Sequence, residues 1–280
     1  MKNDIFNKQN EEYILDALFS QRYYYNLANK LETVNLILIF TACILGSFSI
    51  DNVLYQILVN AGLSIVIFVL NHIIISKIKK GAVIKKFIDY ELFAFDNDEK
   101  SVRKAKEYIF DVINKHLKNY QQQIRNDGNS NPPGLRDWYY NENKMSYTTQ
   151  VKSCQLQNIS WDNKISKIYI GLLIGVFSIL FLIYLIISCI NNNEILVFLA
   201  GLIPFMNVIW YLVQKILKYR EINKIMDEIK LKLQRQTSRE VLLDIQKDID
   251  LRRENEFAPP NFIHKIISKN MHEKIKFISK

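Results

Sequence analysis

Apolar and polar positions along this chain are sorted into long blocks rather than mixed. Four windows hold almost no charge: VNLILIFTACILGSFSI at 34–50, LYQILVNAGLSIVIFVLNHIIIS at 54–76, IYIGLLIGVFSILFLIYLIISCI at 168–190 and ILVFLAGLIPFMNVIWYLVQ at 195–214. Each lies near the ~20 residues needed to cross ~30 Å of hydrocarbon at about 1.5 Å per residue. Only Asp51, Asn52 and Val53 separate the first two windows, and residues 191–194 (NNNE) separate the last two. Connections this short join antiparallel helices, so the pattern predicts two transmembrane helical hairpins.

The remaining segments carry helical periodicity. Ile222, Ile225, Ile229 and Leu233 recur among lysines and glutamates, as do Val241, Ile245 and Ile249; this is the spacing of an amphipathic helix. TSRE at 237–240 has the form of a capping box between the two sets, with Thr237 placed to cap and Glu240 to reach back. Residues 86–126 also read as helical, with FDND at 95–98 as punctuation, and RNDGNSNPPG at 125–134 reads as a loop. The expectation is an all-α membrane protein with a helical cytosolic domain built from the middle segment and both tails. Its parts are an N-terminal helix at 1–33, hairpin 1 at 34–76, a helical segment at 77–167, hairpin 2 at 168–214 and C-terminal helices at 215–280.

Charge orients this arrangement. Of the 37 lysines and arginines, 4 precede the first window, 17 lie between the second and third, and 16 follow the fourth. The two short connections carry none and hold only Asp51 and Glu194. The positive-inside rule then places both connections outside and both termini in the cytoplasm. The N-terminal 33 residues are polar and amphipathic without a cleavage site, which agrees with a cytosolic start. The net charge of +9 is accounted for by juxtamembrane lysines held to anionic lipid, at about 1 kcal/mol each. A basic face that binds a nucleotide or oligonucleotide is the functional alternative.

Candidate chemistry is sparse. Three cysteines, Cys43, Cys154 and Cys189, without CxxC spacing, and four histidines predict no disulfide framework, metal site or cofactor. HExxH, P-loop and GxSxG motifs are absent, so an enzyme is not expected. The densest cluster of rings and hydrogen-bonding groups is LRDWYY at 135–140 with CQLQNISWD at 154–162. It nominates Arg136, Asp137, Trp138, Tyr139, Gln155, Asn158 and Trp161, beside Asp162, as a ligand site. Trp and Arg stack on a base or pair with phosphate. The competing explanation is a membrane-interface or wedge role for the tryptophans.

Within the windows, Asn60, Ser64 and Asn71 fall at about 0, 40 and 20 degrees on one helical face, a candidate pore lining. Hydrogen bonding between helices, worth ~0.6 kcal/mol per contact, is the plainer explanation. Pro204 followed by Asn207 suggests a kink that serves gating.

These residues also carry a resemblance. IFNKQN near the start, RYYYNLANK before the first window, PPGLRDWYY, CQLQNISWD and the late FAPPNFIHKI resemble the SMODS-associated four-transmembrane effectors of bacterial anti-phage systems, over nearly the whole chain. The resemblance implies a pore-forming effector in the bacterial inner membrane. It also implies control by a nucleotide or short oligonucleotide made by a partner nucleotidyltransferase, with depolarisation and abortive infection as the outcome. Four spans are too few for a wide channel, so a homo-oligomer is expected, with a tetramer as the first guess. A non-conducting membrane receptor or scaffold fits the same topology and charge.

Overall fold

A computed structural model describes residues 5–47, 53–126, 130, 132–139, 146–191, 194–234, 238–255, 259–261 and 263. Eight helices occur among them: α1 (Ile5–Lys8), α2 (Glu12–Ser47), α3 (Val53–Leu92), α4 (Glu99–Lys115), α5 (Leu117–Arg125), α6 (Tyr147–Ile190), α7 (Ile195–Gln234) and α8 (Arg239–Glu254). No strand occurs among the described residues. The two hairpins are α2 with α3 and α6 with α7, and these four helices are long and apolar enough to cross a membrane.

These helices do not stop where their apolar windows stop. α6 has 44 residues, a length of about 66 Å, roughly twice the hydrocarbon thickness. α2 passes from the polar N-terminal segment into the first window without a break, and α3 continues from the second window to Leu92. α7 runs unbroken through Pro204. The predicted boundaries near residues 33 and 76 therefore fall inside single helices. A change of solvent alters which side chains are tolerated, but the backbone ladder continues across it.

The continuations pack with α1, α4, α5 and α8 into a helical head. Its core joins Ile14 and Leu18 of α2, Ile84 and Phe93 of α3, Val112 of α4, Tyr120 of α5, Leu135, Val151 of α6 and Leu242 of α8. A second core runs along the bundle through Ile39, Tyr169, Leu173 and Phe205, then along α7 to Met226 and Ile229, where Ile245 and Ile249 of α8 close it. Ile65, Phe68, Leu182 and Trp210 are exposed on the outside of the bundle, as side chains solvated by lipid are.

Caps account for the short elements. α3 ends at FDND: Ala94 takes a left-handed φ of 47° and Asp98 caps α4 through Ser101 N at 2.8 Å. Arg239 Nη2 donates to the Ala94 carbonyl at 2.6 Å. Ser238 accepts from Val241 N at 3.3 Å and caps α8. This corrects the capping-box reading by one residue: the helix begins at Arg239, so Glu240 sits in its first turn beside the helix N-terminus.

Candidate functional site

The PPGLRDWYY loop has no regular hydrogen-bond ladder of its own, and side chains from elsewhere hold its shape. Arg22 of α2 donates to the carbonyls of Pro133 at 2.6 Å and Gly134 at 3.0 Å, and to Gln123 Oε1 at 2.9 Å. Asn126 Nδ2 donates to the Pro132 carbonyl at 2.6 Å. Two amides near α1 then grip the loop reciprocally. Gln9 Oε1 accepts from Tyr139 N at 2.8 Å while Gln9 Nε2 donates to Tyr139 O at 3.3 Å. Asn10 accepts from Asp137 N at 3.1 Å and donates to Asp137 Oδ1 at 2.9 Å. Asp137 has φ 54°, a left-handed conformation that aspartate tolerates better than bulkier residues. The turn buries Leu135 and Tyr139 and leaves Arg136, Asp137 and Trp138 at the surface.

Below the loop lies a buried charged network. The Tyr139 hydroxyl donates to Asp89 Oδ1 at 3.0 Å and accepts from Lys85 Nζ at 3.0 Å and Asn158 Nδ2 at 2.9 Å. Asp89 also pairs with Lys85 at 3.1 Å and with Arg253 Nη1 at 2.7 Å, and accepts from Gln246 Nε2 at 3.1 Å. Asp250 accepts from Gln246 and lies 3.4 Å from Arg253. Gln155 donates to the Leu242 carbonyl at 2.9 Å and to Gln246 Oε1 at 3.1 Å. Lys85, Asp89 and Arg253 are all under 5% exposed. Buried ions are tolerated when paired and hydrogen-bonded, and here two cations face two carboxylates.

The network perturbs its members. Burial, with the Asp89 charge behind it, holds the Tyr139 hydroxyl well above its usual range. Burial also pushes the Cys154 thiol up, so it is an inert packing group. Asp250 is pushed up to about 6 by burial, against the pull of Arg253.

Of the nominated ligand residues, the fold brings together Tyr139, Gln155 and Asn158, but inside this network, where each is hydrogen-bonded to protein groups. Arg136, Asp137 and Trp138 form a separate surface patch. Trp138 is 38% exposed, with Arg22 at 5.8 Å and Lys85 at 5.5 Å from its ring centroid. The side chain of Trp161 lies outside the described residues, although α6 passes through that position. Sequence reasoning missed Gln9, Arg22, Lys85, Asp89, Gln246, Asp250 and Arg253. A trace was available: Lys85 and Asp89 are four apart, and Gln246, Asp250 and Arg253 share one face of α8. Among the described residues no group of three or more His, Cys, Asp or Glu is placed to hold a metal ion.

In the bundle, Asn71 accepts from Asn35 Nδ2 at 3.2 Å. Ser64 accepts from Asn207 Nδ2 at 2.5 Å and donates to the Asn60 carbonyl at 2.7 Å. The nominated Asn60, Ser64 and Asn71 face thus meets α2 and α7 of its own chain. Asn207 is paired across the bundle, and the side chain of Pro204 lies outside the described residues.

No curated protein and no solved structure matches the chain. The segments that resemble the effectors converge in the fold: Gln9 and Asn10 of IFNKQN, Arg22 of RYYYNLANK, Tyr139 of the loop and Gln155 and Asn158 of CQLQNISWD meet around one loop and its network. The Asn29 side-chain amide lies 3.1 Å from that of Asn261 in the late segment. Over residues 3–279 the chain matches the family described as the SMODS-associating 4TM effector domain, and it belongs to that family of membrane effectors.

Proposed function

We propose that the protein is a pore-forming effector of bacterial anti-phage defence that acts without catalysis, by depolarising the inner membrane. A nucleotide or short oligonucleotide from a partner nucleotidyltransferase gates it. The observation that carries this reading is mechanical. The exposed Arg136–Trp138 patch is fastened through Tyr139 to Asp89 on α3 and Asn158 on α6, and both helices continue uninterrupted into the apolar windows. A base stacked on Trp138, with Arg136 on its phosphate, pulls on that fastening. Asp137 orients the loop, Gln155 and Asn158 relay the movement from beneath it, and Trp161 belongs to the same proposed ligand site. The protein assembles as a homo-oligomer, with four copies the simplest ring; the Asn60, Ser64 and Asn71 face borders the path inside each copy, and Pro204 with Asn207 is the gating kink.

A second reading, a non-conducting receptor or scaffold, is favoured by one fact: Ser64 and Asn71 already have partners within their own chain. Purified protein in liposomes separates the two. A panel of cyclic and linear di- and trinucleotides is expected to evoke ion flux with at least one member. Arg136→Ala is expected to abolish that response while leaving insertion and assembly intact. Vesicles that stay tight to every nucleotide would support the scaffold, and an Arg136→Ala variant with normal affinity and gating would overturn the site.

A further inference from the structure

The interior of the bundle holds polar groups that neither the head network nor the surface patch uses. Glu32 of α2 is fully buried where α6 and α7 meet it. Its Oε1 accepts from the hydroxyls of Tyr169 and Tyr211 and from Lys215 Nζ at 2.8 Å. These are the titratable groups bonded to it among the described residues, one from α6 and two from α7. The other oxygen, Oε2, is buried without a hydrogen-bond partner, and so is Oδ1 of Asn35, one turn further along α2. A buried carboxylate oxygen that no protein donor reaches is costly, and leaves an acceptor open to a water or a proton.

These groups head a column. Beyond Glu32 comes the Asn35 and Asn71 pair, then Asn207 with Ser64 and the Asn60 carbonyl. Asn60, Ser64 and Asn207 border a cavity of about 20 Å³. On α7, Asn207, Tyr211 and Lys215 recur every four residues, a row of about 12 Å, and on α3 Asn60 to Asn71 spans about 16 Å. The two rows therefore cover about half of the ~30 Å hydrocarbon depth inside one chain.

We infer that this column is a proton path within a single protomer, with Glu32 as its proton-binding group and Lys215 as the tethered cation that closes it. The inference rests on the pore-forming reading but not on an oligomeric axis. The column's dimensions select the permeant. The cavity admits about one water. An alkali-metal ion needs a shell of oxygens to replace its hydration, whereas the Glu32 end of the column offers two unengaged acceptors, Glu32 Oε2 and Asn35 Oδ1. A proton needs one acceptor and a chain of hydroxyls, amides and single waters. Lys215 occupies the carboxylate in this structure as a permeant cation would. Its four-carbon stem lets the ammonium withdraw to the aqueous edge of the bundle, and α7 continues from it to Met226 and Ile229, where α8 packs. Movement of the head thus reaches the closing residue directly.

The test uses full-length protein in vesicles loaded with a pH dye and clamped with valinomycin, with no nucleotide. Lys215→Met is expected to dissipate a pH gradient at least tenfold faster than the natural protein. Glu32→Gln/Lys215→Met, an uncharged pair that avoids an unpaired buried ion, is expected to return to the slow rate. Asn207→Leu/Lys215→Met, which blocks the column away from Glu32, is expected to do the same. A Lys215→Met variant without a leak would overturn the inference. So would a leak that survives Glu32→Gln, or one carried by Na+ instead of protons. A nucleotide-evoked conductance retained in Glu32→Gln removes this path and leaves the pore reading standing. Tight vesicles for every variant and nucleotide remove both.

Discussion

Asp250 sits where burial and a neighbouring carboxylate raise the cost of its charge and Arg253 lowers it, and the balance leaves it at about 6 against an ordinary 3.8. Between those values the folded protein holds the proton more tightly than the unfolded chain. Stability contributed by this group therefore falls as pH rises through that window, and the cost is fully present above about 6. Asparagine keeps the acceptor for Gln246 and Arg253 without the charge. Asp250→Asn is expected to be more stable than the natural protein at pH 7.5 by about 1–3 kcal/mol, since each tenfold difference in proton affinity between the folded and unfolded chain is worth about 1.4 kcal/mol. Thermal unfolding in detergent across pH 4 to 8 would measure it, and a gap that stays constant with pH would refute it. The sequence carried only the spacing within each helix, because the pairing of residue 89 with residue 253 is made by the fold. The aromatic loop was readable in composition, but its division into a buried Tyr139 and an exposed Trp138 was not.

Helices, in contrast, were largely legible, because hydropathy and capping are local properties. The four windows, the FDND break and the amphipathic faces of α4 and α8 all rest on near neighbours. What escaped was continuity, since a composition change at residue 33 or 76 looks like a boundary although the backbone has no reason to stop. One element-level contact makes that continuity useful. Gly81 of α3 lies against the Tyr25 ring of α2, so that an added Cβ would sit 3.1 Å from the ring edge. The two long helices approach closely there, just beyond the second apolar window. Gly81→Ala gains about 1 kcal/mol of helix propensity and loses a similar amount in pushing the ring aside, for little net change. Gly81→Leu is expected to cost about 1–3 kcal/mol through overpacking. Adding Tyr25→Ala should recover much of it if the ring is the obstacle. Equal thermal midpoints for Gly81→Leu with and without Tyr25→Ala would show that the helices part elsewhere.

For the whole molecule, the remaining question is which side of the membrane holds the head. The total of basic residues is a weak guide, because long segments cross membranes largely regardless of charge and the 77–167 segment is long. The residues nearest the windows weigh more. Lys77, Lys79, Lys80, Lys164, Lys167, Lys215 and Lys218 flank the head side, while Asp51 and Glu194 occupy the short connections. The fold adds a separate constraint. Ile5 and Leu18 from the N-terminal part, Phe93 and Val112 from the middle and Leu242 from the C-terminal part share one core, so these parts cannot lie on opposite sides. The orientation is then a single choice made by the whole body, and every flanking cluster favours the cytoplasm. In a protein with Cys43, Cys154 and Cys189 replaced, Glu194→Cys is expected to react with a membrane-impermeant maleimide on intact spheroplasts. Lys104→Cys, on the exposed face of α4, is expected to react only after lysis. Labelling of Lys104→Cys in intact cells would put the Trp138 patch outside, beyond the reach of a nucleotide made in the cytosol, and the gating proposal would fall with the orientation.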